Sequence, residues 1–216
     1  KIESKADWEL VRRGEILQKF REYEYGFSPS PPSNVFFEME ELDEMALEGR
    51  AIRKQVRISL TGENSGPFMH LLLYLPKNPT KAAIGQKGKW PIFIGLNFYG
   101  NHTIHTDPNI ILTESWSPNN IKFHVLNNKT TAASRGVRVH RWPIEYILDH
   151  GYGLANIYYG DIVPDRKDGL EIGLPSIYNQ HKILMPSPNS WGAISAWAWG
   201  LRSEEHTSEL QSPNTI

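Results

Sequence analysis

The chain has 216 residues, 39% of them hydrophobic and 11% aromatic, enough for one domain or one and a half around a sizeable core. A formal net charge of −1 with no basic block removes the electrostatic case for nucleic acid or an anionic membrane surface, and no run of about 18 apolar residues offers a bilayer span. Zero cysteines exclude disulfides, thiolate catalysis and cysteine-bound zinc. The sequence opens at Lys1 with neither a Met nor a signal-type apolar segment, so its start is expected to be processed or incomplete.

Asp7 is placed to N-cap a helix running to about Tyr25, with Trp8, Val11, Ile16, Leu17, Phe20 and Tyr23 roughly on one side and Gly26 as its stop. The polar spacer Ser28-Pro-Ser-Pro-Pro-Ser33 leads into a first strand, Val35–Glu41. Arg50–Leu60 alternates, Ile52, Val56, Ile58 and Leu60 against Arg53, Gln55, Arg57 and Ser59, which predicts an antiparallel edge with one face in water. Thr61–Pro67 has turn chemistry, Phe68–Leu75 is the returning strand, and residues 77–89 read as a mobile surface loop.

The chain is organised around Trp90–Thr103, where an apolar run breaks into a glycine- and amide-rich loop. Pro91–Leu96 reads as a strand buried on both faces, and ligands of open α/β sheets bind outside such carboxyl ends. Thr106–His140 is a long irregular segment with a lone Trp116, of a length that is usually functional or disordered. A short helix follows, with Pro143 at its first position and Gly151 past its end, then a strand Tyr152–Tyr159. A second long loop, Ile162–Ser190, leads to the tryptophan-rich helix beginning at Trp191. Antiparallel strands followed by strand–helix alternation predict an α/β fold with a mixed sheet, in the manner of an α/β-hydrolase. The nucleophile elbow of that fold, G-x-S-x-G, occurs nowhere in the chain.

Several blocks, in this order, carry a specific likeness: Gly95-Leu-Asn-Phe-Tyr-Gly-Asn-His-Thr103, Ala133-Ser-Arg-Gly136 with Arg141-Trp142-Pro143, Gly151-Tyr-Gly-Leu-Ala155, Tyr158-Tyr-Gly-Asp161 and Trp191-Gly-Ala-Ile-Ser-Ala-Trp-Ala-Trp-Gly200. From about Trp8 to Leu201 the chain resembles bacterial glucuronoyl esterases of carbohydrate esterase family fifteen, often labelled acetylxylan esterases. The resemblance implies an α/β-hydrolase cleaving the ester between a glucuronic acid on xylan and lignin alcohols. It implies a serine nucleophile, a histidine base and an acidic residue, no cofactor, a polysaccharide partner such as glucuronoxylan, and a secreted or periplasmic location. That family's G-x-S-R-x-G-K motif is missing, and Arg202–Ser212 resembles the translation of a sequencing adapter rather than a protein. Residues 1–201 are therefore expected to be the N-terminal part of the hydrolase domain, truncated before the elbow and inactive alone, and residues 202–216 a non-native or disordered tail.

Among the residues present, Phe98, Tyr99, Gly100, Asn101 and His102 form the loop where an α/β-hydrolase supplies a backbone N–H to its oxyanion hole, with Tyr99 and Gly100 as the candidate donors. Asn101 and His102 either contact substrate or satisfy buried backbone groups at the turn. Arg135 could receive a uronate carboxylate or tie down its loop, and Trp116 could stack on sugar. His102 and His105 have metal-like spacing but neither a helix nor a third ligand nearby, so no metal is expected. Asp161 reads as a cap organising the loop towards Asp165, and Ser195 as a small packing residue. The alternatives to the esterase reading are a non-catalytic carbohydrate-binding module and a plain acyl esterase.

Overall fold

The computed structural model describes residues 2–30, 35–61, 64, 66–77, 90–180 and 190–203. The proposed mobile loop over 78–89 and the tail beyond 203 lie outside these residues. The chain opens with a helical segment, α-helical over Lys5–Asp7 and Arg13–Phe20 with wider turns over Trp8–Arg12 and Arg21–Tyr25. Its cap is Ser4 rather than Asp7. The Ser4 side chain accepts the Asp7 N–H while the Asp7 carboxylate accepts the Ser4 N–H, a reciprocal box that starts the helix one turn early. Gly26, at φ 75°, ends it. Most apolar residues of this segment remain exposed, from Tyr25 at 40% to Leu10 at 83%, with Ile16 half-buried.

Five strands make one mixed sheet in the order β1-β2-β3-β5-β4: β1 Phe37–Met45, β2 Ala51–Ser59, β3 Phe68–Pro76, β4 Ile92–Asn97 and β5 Gly153–Tyr158. β1, β2, β3 and β5 pair antiparallel in succession, and β4 joins β5 in parallel. β1 and β2 meet through the tight turn Ala46–Gly49, where Leu47 and Glu48 take φ 53° and 61°. A bulge between Met39 and Glu41 leaves Glu40 without a ladder partner.

Both sheet faces are covered. On one, Val56, Ile58, Leu71, Leu73 and Ile157 pack against Leu174, Tyr178, Trp191, Ala196 and Trp199, so the tryptophan-rich helix Ala193–Ser203 is core, as its spacing implies. On the other, Leu72, Tyr74 and Leu154 pack under Ile104 and Ile110 of the long loop and Ile144 and Leu148 of the helix Ile144–Asp149, which has Pro143 at its cap. The second long loop contains the short helices Gly169–Ile172 and Leu174–Gln180.

Two expectations for the strands are corrected. β2 is internal, and its polar face is not solvated: Arg53 and Gln55 are 1% and 4% exposed. The loop over 107–111 closes on them. Arg53 donates to Glu41 at 2.6 Å and 3.1 Å, to Asp43 at 3.2 Å and to Asp107, while Gln55 donates to Glu41 and the Asn109 carbonyl and accepts the Ile111 N–H. Charge alternation signals water only where nothing supplies counter-charges, and here Glu41, Asp43 and Asp107 do. β4, conversely, is an edge among the described strands, and Phe93 and Ile94 are 54% and 48% exposed rather than buried on both faces.

Candidate active site

The loop leaving β4 is organised by the side chain that ends the strand. Asn97 is 1% exposed. Its Oδ1 accepts the N–H of Gly100 at 2.7 Å and of Tyr99 at 3.3 Å, and its Nδ2 donates to Asn101 Oδ1 at 2.7 Å and Asn156 Oδ1 at 2.6 Å. Asn101 passes the network on, donating to the His70 carbonyl at 2.7 Å. The two backbone donors nominated for an oxyanion therefore turn inward to Asn97. An Asn side chain closes the turn that its own backbone begins, and in this structure it takes the N–H groups of both Tyr99 and Gly100. Gly100 sits at φ 104°, and a Cβ there would lie 2.5 Å from Thr113 Cγ2, so loop and neighbour close up only around glycine.

His102 is fully buried. Its Nε2 lies 2.8 Å from Ser134 Oγ, which gives its own hydrogen to the Thr131 carbonyl at 2.5 Å, so the ring donates and Nδ1 is left without a partner. Burial, reinforced by the charge of Arg135, pushes its pKa down to about 4 and keeps the ring neutral. Backbone bonds from Gly136 to the His102 carbonyl and from Arg138 to the Thr103 carbonyl sew the loop to the Ala133–Gly136 block. Arg135 spends Nη1 on the carbonyls of Asp107 at 3.1 Å and Ile110 at 2.6 Å, which is the loop-tying role. His105 faces Glu145 at 3.3 Å and accepts the Asp107 N–H, so the two histidines do not converge.

The aromatic residues line the same end of the sheet. Phe98 is 56% exposed and its ring lies 5.2 Å from that of Tyr159. Tyr99 packs edge-on against Phe123, and its hydroxyl accepts from Asn120 at 3.1 Å. Trp116 is half-buried under the Arg166 guanidinium, 5.5 Å from the ring centre, and its carbonyl accepts the Tyr158 hydroxyl at 2.6 Å. Ser195 donates to the Tyr25 carbonyl at 2.7 Å.

Asp161 departs from its expected role. Its side chain is 1% exposed and accepts from the His70 N–H and Nδ1, both at 3.1 Å, from Ser115 Oγ at 2.6 Å and from Thr113 Oγ1 at 3.4 Å. It thus ties β3 to the long loop instead of capping a turn towards Asp165. Although burial works against charge on His70, the hydrogen bond and charge of Asp161, with Glu40, raise its pKa above the ordinary value. Beside this dyad opens a cavity of about 380 Å³, walled in part by Glu40, Arg57, Phe68, His70 and Ser115. Sequence reasoning missed Asn97, Asn156, His70 and Glu40. An Asn closing an apolar run and two successive glutamates breaking a strand's alternation were the signals available.

A mixed sheet with helices on both faces, its parallel strands ending in a glycine-bearing polar loop, has the architecture of an α/β-hydrolase. Comparison with known proteins places the chain within that class. Carbohydrate esterase MZ0003, from an unknown prokaryotic organism, is 43% identical over 201 residues, 93% of this chain and 44% of that protein. A promiscuous CE15 esterase from a marine bacterial metagenome superposes with a TM-score of 0.81 at 41% identity, over 97% of this chain and 50% of its own. A glucuronoyl esterase from Solibacter usitatus does so with a TM-score of 0.81 at 35% identity, over 95% and 50%. No family model matches the chain. In sequence and fold the chain is similar to CE15 carbohydrate esterases, glucuronoyl esterases among them, and it spans about half the length of each relative named here.

Proposed function

We propose that this chain is part of a serine carbohydrate esterase of the glucuronoyl type, acting outside the cytoplasm on ester bonds of hemicellulose or of its links to lignin. The observation that carries the reading is the 41% to 43% identity to carbohydrate esterases, across nearly the whole chain, on a superposable fold. In this reading Phe98 and Trp116 present their rings to the sugar. Asn97, Asn101 and His102 hold the loop rigid behind them, and Arg135 acts by fixing the long loop. The nucleophile, its histidine and its acid belong to the half of the relatives that this chain does not span, which agrees with the lack of any G-x-S-x-G in the sequence.

The chain alone is expected to leave alkyl glucuronate esters intact. Fused to the portion of the 43%-identical relative that it does not span, it should hydrolyse them, and a serine-directed phosphonate should stop the reaction. A folded fusion without turnover of glucuronate esters, or one that prefers simple acyl esters, would defeat the proposal.

A further inference from the structure

We propose that the cavity between the loop Ile111–Ser115 and the part of the sheet formed by β1, β2 and the start of β3 is a binding site for a neutral polyhydroxylated ligand, one sugar unit, gripped through adjacent hydroxyls by Glu40, His70 and Arg57. This goes beyond the esterase reading and does not depend on it.

At about 380 Å³ the cavity falls in the range of about 300 to 1,000 Å³ usual for small-ligand sites. Most of its polar wall is already committed. Asp161 accepts four hydrogen bonds, Gln55 uses both ends of its amide, and Asn101 uses both ends of its own. Beside the exposed Glu114, three groups keep unspent capacity. The Glu40 carboxylate makes no hydrogen bond, its nearest charged neighbour being His70 Nε2 at 3.8 Å. His70 commits Nδ1 to Asp161 and leaves Nε2 open. Arg57 pairs one nitrogen with Glu38, lays its guanidinium 4.2 Å from the Phe68 ring centre, and has a buried Nε without a partner.

The bulge explains how Glu40 reaches this place. Two successive glutamates oppose one stretch of β2, Glu41 is taken by Arg53 and Gln55, and the extra residue is re-aimed into the cavity. A gap of 3.8 Å is too long for a hydrogen bond, yet one oxygen can sit within bonding distance of both atoms. A hydroxyl suits that place, because it gives its hydrogen to a carboxylate while accepting from a cation. The charges are mixed, Glu40, Asp161 and the water-exposed Glu114 against Arg57 and His70, so an anion meets like charge while a cation meets the Arg57 guanidinium. The Phe68 ring supplies an apolar wall of the kind sugar rings use.

The test is calorimetric or NMR titration of this chain with xylobiose and methyl β-xyloside, beside sodium glucuronate as an anionic probe, glucosamine as a cationic one and ethanol as a single hydroxyl. Saturable binding of the neutral sugars is expected, with the His70 ring signals shifting. Glu40→Ala should weaken it about tenfold, the scale of one charge-assisted hydrogen bond, and His70→Gln should weaken it as well. Glu48→Gln, on the β1–β2 turn, should leave it unchanged. The proposal is overturned if the unaltered chain shows no saturable response to either sugar. It is overturned equally if glucuronate or glucosamine binds more tightly, if ethanol gives the same response, or if Glu40→Ala and His70→Gln bind as the unaltered chain does.

Discussion

Two histidines flank Asn101, and the fold treats them in opposite ways. His102 is sealed in without a counter-charge and is kept neutral, its one hydrogen bond spent on Ser134. His70, whose carbonyl Asn101 holds, is 39% exposed and faces two carboxylates that favour its proton. Burial alone lowers a histidine pKa, and a carboxylate in contact reverses the sign. One ring is thus framework and the other is available to a ligand. The contrast extends along β2, where Arg53 sits in a closed cluster with Glu41, Asp43 and Asp107 while Arg57 opens onto the cavity.

The closed side should yield the largest effects. Arg53→Leu removes the cation that holds Asp107 of the long loop against Glu41 and Asp43 and is expected to cost about 3 to 5 kcal/mol in denaturant unfolding. A loss under about 1 kcal/mol would show that the cluster is not closed. Next comes acid. His102 has a folded-state pKa depressed to about 4 against an ordinary 6.5, so its neutral form is the one the fold holds. Its share of stability is complete above pH 6.5 and drains away as pH falls towards 4, by up to about 3 kcal/mol. Melting curves of a His102→Asn variant should show that acid limb flattened.

Asn97→Ala leaves the N–H groups of Tyr99 and Gly100 and the side chains of Asn101 and Asn156 without their partner, a loss of about 1 to 3 kcal/mol. In the esterase fusion, turnover should fall further than this stability loss accounts for. The open side should respond least. His70→Gln should change midpoint stability by under about 1 kcal/mol, as is usual for a partly exposed ion pair. It should still reshape the pH profile. The folded pKa is raised, so the contribution is full below pH 6.5 and disappears as pH rises through the folded-state value.

Much of the architecture was legible because periodicity and punctuation are local. β3 and β5 follow from apolar runs, the first ended by Pro76, and the tryptophan helix from its spacing. Two strands misled for one reason, since a strand's neighbours are not written in its own sequence. Arg53 and Gln55 look solvated until Asp107 and Asn109 arrive from more than fifty residues away, and Pro91–Leu96 looks doubly buried until its place at the edge is known. The loop of the candidate site was found from its glycine and amides, but its centre, Asn97, was read only as the first residue of that loop, whereas it ends β4 and organises the turn with its side chain. Glu40, His70 and Asp161 come from three separate elements, and only the bulge and the antiparallel register bring them together.

The most direct measurement is an NMR pH titration of the histidine ring protons, with His70→Gln and His102→Asn assigning the two signals among the eight histidines. The contrast between a sealed framework and an open pocket predicts that His70 titrates above 6.5 and that His102 stays silent until the pH approaches 4. If His102 titrates near 6.5, or His70 below it, the loop is not sealed or the pocket is not proton-holding, and the division drawn between the two sites is wrong.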